Sequence, residues 1–383
     1  MRLIHTADLH IGKTIHNFSM LPDQKKMLEE MAELAQQYKV QAFVISGDIY
    51  DRAVPPAEAV SLFNHFLTTL QKMKIDIFMI SGNHDSPERI AFAEQILEHL
   101  HVHIAGEYQT PLKRVIMEDE YGPIEFTLMP YVKPQILGLH TCQEAVDKML
   151  LESVNKKIEN PNRRVLLTHY FVTNAGSLPQ QSDSECPVLV GGIDAVDCSS
   201  FREYSYVALG HIHKHQMMNG EEVKKGEAGP VVYAGSPLAY SFSECGQKKS
   251  VTLLTLGQDE AIQTEQLYLH PLHEMKKLSG RLEDLLSPDV YEKLNREDYY
   301  QIMLTDEDEC IDPIGSLRSV YPNVMQLLFE KHEKKEVSQQ AAAVSVREKT
   351  TMELFEDFYM EIRDKEMDEQ RKKVLEEVIE QLK

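Results

Sequence analysis

The side chains of this chain that could do chemistry stand in short clusters, each closing an apolar run. Asp8 and His10 follow "RLIHT", Asp48 follows "AFVIS", Asn83, His84 and Asp85 follow "DIFMIS", His169 follows "RVLLT", and His211 and His213 follow "SYVAL". The set offers carboxylate, amide and imidazole and no thiolate, which suits Mn, Fe or Zn better than Ca or a thiolate-preferring ion. Residues two apart in an extended chain project the same way, so Asp8 with His10, and His211 with His213, are expected to grip one object each. One His-x-His alone is a weak signal; five strand-end clusters in one chain are a strong one. The other histidines, His99, His101 and His103 among them, carry no such pattern.

The elements that must position these groups are read from periodicity. Runs at 2–6, 42–46, 76–81, 164–168 and 205–209 predict strands buried on both faces. Helical patterns at 22–39, 57–74, 87–100 and 142–158 lie between them, and further strand-like runs follow at 124–129, 231–234 and 251–256. The alternation predicts an α/β domain whose parallel strands end on one edge, where such folds place their sites. It is expected to close near residue 270. Residues 271–330 read as a smaller mixed domain, 331–350 as a polar linker, and 351–383 as amphipathic helices.

At 383 residues the chain exceeds what one core usually holds. Its 42% hydrophobic and 26% charged residues exclude wholesale disorder. The N-terminal stretch, broken by Arg2, His5, Asp8 and His10, is not the apolar segment of a signal peptide, and no apolar run is long enough to span a membrane. Five scattered cysteines without a CxxC pair predict neither a disulfide framework nor a thiolate zinc site, which suits a reducing cytoplasm. A net charge of −21 argues against a nucleic-acid partner unless the charge is uneven, with the acidic tail and the 297–309 region held apart.

The ordered series "DLH", "GDIYD", "GNHD", "THY" and "GHIH" resembles the signature of the calcineurin-like metallophosphoesterases. Within that superfamily "HTADLHIGKT", "YAGSPLAYSFSE", the segment after 270 and the tail resemble the nuclease subunits of bacterial SbcCD complexes, relatives of the double-strand-break repair nuclease. The resemblance implies a β-sandwich flanked by helices, with a small α+β capping, DNA-binding domain at 271–330 and C-terminal helices. It implies two divalent ions, Mn2+ first and Mg2+ as the alternative. Asp8, His10, Asp48 and His213 would hold one, Asp48, Asn83, His169 and His211 the other, with Asp48 bridging. His84 would act on the phosphate and Asp85 would orient it. Ser241 and Phe242 would lie near substrate, and Arg52 would contact a phosphate.

The resemblance also implies the partners: DNA, an SbcC-type ATPase subunit on the C-terminal helices, a second copy joined through helices between 56 and 100, and no membrane. The expected chemistry is exonucleolytic on duplex ends and endonucleolytic on single strands or hairpins, in a cytoplasmic, nucleoid-associated enzyme of DNA repair, recombination and replication. One departure is visible: archaeal relatives carry a histidine after the second signature aspartate, where this chain has Asp51 and Arg52. The Walker-like "ADLHIGKT" lacks the first glycine and places Asp8 against any phosphate, so it predicts no nucleotide cradle. A phosphatase or small-phosphodiester hydrolase on the same site is the alternative. A non-catalytic scaffold would be expected to have lost ligands, and none is lost.

Overall fold

The apolar runs become strands because both of their faces are covered. In the strand Ala42–Ser46, Ala42 and Val44 pack between two sheets, while Phe43 and Ile45 face helices. Phe78 and Ile80 against Ile77 and Met79 repeat the pattern in Asp76–Ile80, and Val165 and Leu167 against Leu166 in Arg163–Thr168. Two-sided burial gives continuous hydrophobic runs rather than alternation.

The computed structural model describes residues 1–154, 163–185, 194–257, 262–306 and 311–330, with Met352, Phe355, Glu356, Tyr359, Lys372 and Leu375 beyond them. The linker expected at 331–350 and most of the tail lie outside the described residues; the six named tail residues are helical, and Lys372 pairs with Glu356 at 2.9 Å.

Chain folding yields two compact units, the first made of Met1–Lys277 with Asn295–Gln301 and Asn323–Met325. It holds a sandwich of two six-stranded sheets. The first sheet runs in the order Ile262–Tyr268, Ser250–Leu256, Arg2–Thr6, Ala42–Ser46, Asp76–Ile80, Val102–Ala105. Its last four strands are parallel and its first two antiparallel. The second sheet runs Gln216–Met217, Val231–Tyr233, Tyr206–Leu209, Arg163–Thr168, Gly122–Leu128, Lys113–Asp119, with four parallel strands between two antiparallel edges. Helices Leu21–Gln37 and Ala57–Lys72 cover the outer face of the first sheet, and Cys142–Val154 packs in the outer core of the second.

The continuous helix expected at 87–100 is two short ones, Pro87–Ile90 and Glu94–Glu98, because the chain turns left-handed at Ala93 with φ 61°. The second unit, Leu278–Leu294, Ile302–Pro322 and Gln326–Lys383, carries the helix Pro313–Val320. That helix is capped by Asp312 and anchored by the buried Leu317, and the Tyr321 hydroxyl donates to Leu285 O at 2.9 Å. Among the described residues no helix is long and apolar enough to cross a membrane.

Candidate active site

The C-terminal ends of both parallel sets meet on one edge, so the polar clusters come from two sheets. Asp8, His10, Asp48 and Asn83 leave the first sheet; His169, His211 and His213 leave the second. Donor atoms of Asp8, His10 and His213 all lie within 4.8 Å of one another, as do those of Asp8, Asp48 and His169. Asn83 Oδ1 joins the second group, 3.1 Å from His169 Nε2 and 3.0 Å from His211 Nδ1. His10 Nε2 stands 3.1 Å from His213 Nε2, and Asp48 Oδ2 is 3.7 Å from His10 and 3.4 Å from His169. Asp48 therefore faces both groups.

The backbone that makes this possible is not extended. Asp8, His10, Asp48 and His211 have φ of 54°, 43°, 49° and 97°, in the left-handed region that side chains other than glycine avoid. Asp8 and His10 meet through a tight loop rather than by strand alternation. The loop is fixed by Asp8 N to Gly47 O at 3.1 Å, His10 N to Asp48 O at 3.0 Å and Gln24 Nε2 to His10 O at 2.7 Å. Two glycines are required by close approach. A Cβ at Gly82 would lie 2.1 Å from Asp48 Oδ1, and one at Gly210 would lie 2.0 Å from Ser46 O.

The rings are held from behind. His169 Nδ1 donates to Ser46 O at 2.7 Å, which turns Nε2 toward the carboxylates. His213 Nδ1 pairs with Ser184 Oγ at 2.7 Å, and Ser184 Oγ donates to Glu244 Oε1 at 2.6 Å. Burial, with Asp48 adding to it, pushes the Asp8 carboxyl up to about 7. Burial would lower His169, but the adjacent Asp48 carboxylate outweighs it and carries the ring up to about 9. Burial, reinforced by His169, drops His211 to about 3.

The residues present fit divalent metal ions. Asp8 Oδ2 and His10 Nδ1 are buried with no hydrogen-bond partner among the described residues, and the carboxylates, amide oxygen and imidazoles around them crowd lone pairs together. A cation satisfies such a set where a hydrogen bond cannot.

The remaining expected site residues are placed differently from one another. His84 is half-buried, with its N–H donating to Asp48 Oδ1 at 2.9 Å and Nδ1 donating to Asp51 O at 3.0 Å. Asp85, expected to orient His84, spends its carboxylate on backbone N–H groups: Ile49 at 3.1 Å, Tyr50 at 2.9 Å and Gly82 at 2.9 Å. It clamps the loops after the second and third parallel strands, and the Asp51 carbonyl takes the part expected of it. Arg52 is largely exposed, 3.6 Å from Asp51. Ser241 caps a short 3-10 turn, and Phe242 is buried beside the His16 ring.

From the same stretch the structure instead brings Tyr240 to 5.6 Å from the His10 ring and 6.0 Å from the His213 ring. Glu244 lies behind His213, accepting from Tyr240 N at 3.2 Å and from Lys249 Nζ, which also donates to His213 O at 3.0 Å. Lys13 reaches in as well, 2.6 Å from Asp51 Oδ1 and over the Tyr240 ring. Sequence reasoning missed Tyr240, Glu244, Lys249, Ser184 and Lys13. "YAGSPLAYSFSE" was the signal for the first two, and nothing in spacing marked the others.

Comparison with known proteins gives two family matches. Residues 1–215 match the model of the calcineurin-like phosphoesterases. Residues 271–363 match a domain described as the type 5 capsule protein repressor C-terminal domain. The chain is 29% identical over 378 residues to the SbcD component of the nuclease SbcCD of Staphylococcus epidermidis, covering 96% of this chain and 95% of that one. Among solved structures it is similar to a dimetal phosphatase from Danio rerio, at 12% identity and TM-score 0.43 over 70% of this chain and 95% of that one. A Thermus thermophilus protein matches at 14% identity and TM-score 0.38 over 69% of this chain and 98% of that one.

Proposed function

This chain belongs to the calcineurin-like phosphoesterase family, and from that premise we propose that it is a Mn-dependent DNA nuclease, the nuclease subunit of an SbcCD-type complex. The observation that carries the reading is the pair of donor groups facing Asp48, with the half-buried His84 beside them. Similarity to a nuclease component along nearly the full length of both chains supports the polymeric substrate over a small one.

Asp8, His10, Asp48 and His213 would hold one divalent ion, and Asp48, Asn83, His169 and His211 a second, with Mn2+ ahead of Mg2+ because imidazole is abundant in the set. Bound there, the ions supply positive charge and Lewis acidity against a phosphodiester. The chain supplies the rest. A carbonyl can only accept, so the bond to Asp51 O fixes the His84 proton on Nδ1 and leaves Nε2 to exchange a proton with the leaving oxygen. Asp85 keeps the loops of Asp48 and His84 in register.

The reading extends to 3'-5' exonuclease action on duplex ends and endonuclease action on single strands and hairpins, in cytoplasmic, nucleoid-associated repair, recombination and replication. The tail helices would bind an SbcC-type ATPase subunit. A second copy would pack on the helices between 56 and 100, where Val60, Phe92, Ile96 and Leu100 are 44%, 80%, 69% and 46% exposed.

The test is end-labelled duplex and hairpin DNA with Mn2+, the chain alone and with its partner, and a His84→Ala control. The expected result is cutting by the parent, and a loss of about 10²–10⁴-fold in the variant with metal content retained. Hydrolysis of small phosphodiesters with no cutting of DNA would transfer the site to the phosphatase reading.

A further inference from the structure

The edge of the first sheet opposite the candidate active site gathers a second set of ligand-type side chains. Asp76 opens the strand Asp76–Ile80, and His101 and His103 stand at the start of its neighbour Val102–Ala105. Asp76 Oδ1 is 3.0 Å from His101 Nδ1 and 3.5 Å from His103 Nε2, and donor atoms of all three lie within 4.8 Å of one another. A strand of this length separates the set from Asn83 by roughly 15 Å.

We propose that Asp76, His101 and His103 form a separate divalent-cation site of the zinc-binding type. Metal–donor bonds of about 2.0–2.1 Å in a tetrahedral arrangement put donors roughly 3.3 Å apart, between the two distances found. His103 is built for the task. Its Nδ1 pairs with Glu98 Oε1 at 2.7 Å, and Glu98 is itself held by Lys113. Its ring stacks on Phe78 at 4.8 Å, and Phe78 on Phe126 at 4.1 Å, which fixes the plane. A carboxylate behind Nδ1 leaves the Nε2 lone pair turned toward the Asp76 oxygen 3.5 Å away, and a cation between them would satisfy both. Two imidazoles and one carboxylate prefer Zn2+ or Co2+ over the harder Mg2+. Such an ion would staple the start of the edge strand Val102–Ala105 to its neighbour.

The test is zinc content per chain after equilibrium dialysis of the full-length protein, parent against His101→Ala and Asp76→Asn. His101 is 74% exposed at its side chain, so its removal leaves the fold in place. The expected result is one fewer Zn2+ per chain in each variant, a zinc-dependent rise in melting temperature present only in the parent, and unchanged Mn2+-supported phosphodiester hydrolysis in His101→Ala. Equal zinc content in all three would overturn the site and leave the cluster as the hydrogen bonds of His101 to Asp76 and of His103 to Glu98.

Discussion

Replacing Glu244 by glutamine changes one oxygen and no volume, yet it should be among the most damaging substitutions outside the ligands. The side chain is fully buried. Burial opposes its charge, but His213 and Lys249 outweigh burial and hold the carboxyl down to about 2, so it is an anion at neutral pH. Lys249, 7% exposed at its side chain, has Glu244 as its carboxylate partner, with His213 O at 3.0 Å and Ser236 Oγ at 3.1 Å as its other acceptors. A neutral amide leaves the ammonium buried without a counter-charge, which costs about 3–5 kcal/mol. At about 2–4 °C per kcal/mol for units of this size, the melting temperature should fall by roughly 6–20 °C. The Ser184 Oγ that orients His213 also loses its anionic acceptor, so Mn2+ affinity should drop about 10–100-fold. Differential scanning calorimetry and Mn2+ titration of Glu244→Gln read the two effects separately. A melting temperature within about 2 °C of the parent would refute the buried-pair reasoning, and an unchanged Mn2+ affinity would refute the link through Ser184.

Gly82→Ala forces a methyl to 2.1 Å from Asp48 Oδ1, so phosphodiester hydrolysis should be lost while the helical circular-dichroism signal survives; retained hydrolysis would show that the loop yields. Asp119 is held well below the usual carboxylate range by the Arg163 guanidinium, bonded at 3.0 and 2.5 Å, and by the α-amino group of Met1 at 2.6 Å. Because its folded-state pKa is depressed, its contribution is complete above the unfolded value of about 3.9 and fades as pH falls toward the folded one. Asp119→Asn should therefore cost about 3–5 kcal/mol at pH 7, with the gap to the parent narrowing in urea melts below about pH 4.

Strands were legible because runs such as "AFVIS" and "DIFMIS" have no polar face, and their C-terminal polar stops marked the site. Which sheet each run joins was not legible: Phe78 and Phe126 stack across the sandwich, and no periodicity distinguishes that from stacking on a helix. Asp8 and His10 were paired on the expectation of an extended chain, and they meet because both are left-handed. Asp85 follows His84 directly, yet adjacency misled, because three backbone N–H groups converge on its carboxylate. Glu244 and Ser184 are 60 residues apart, and contact over such a span leaves no local trace.

That the candidate centre draws on both sheets has a kinetic consequence. Asp8 Oδ1 accepts from His211 N across 203 residues of chain, and His169 reaches Asn83 across 86. Contacts of such high order close late, after the entropy of long loops has been met. An intermediate with either sheet alone would own only part of each donor group. During refolding, then, uptake of a transition-metal ion by these residues becomes a clock for the docking of the two sheets, running behind the recovery of secondary structure.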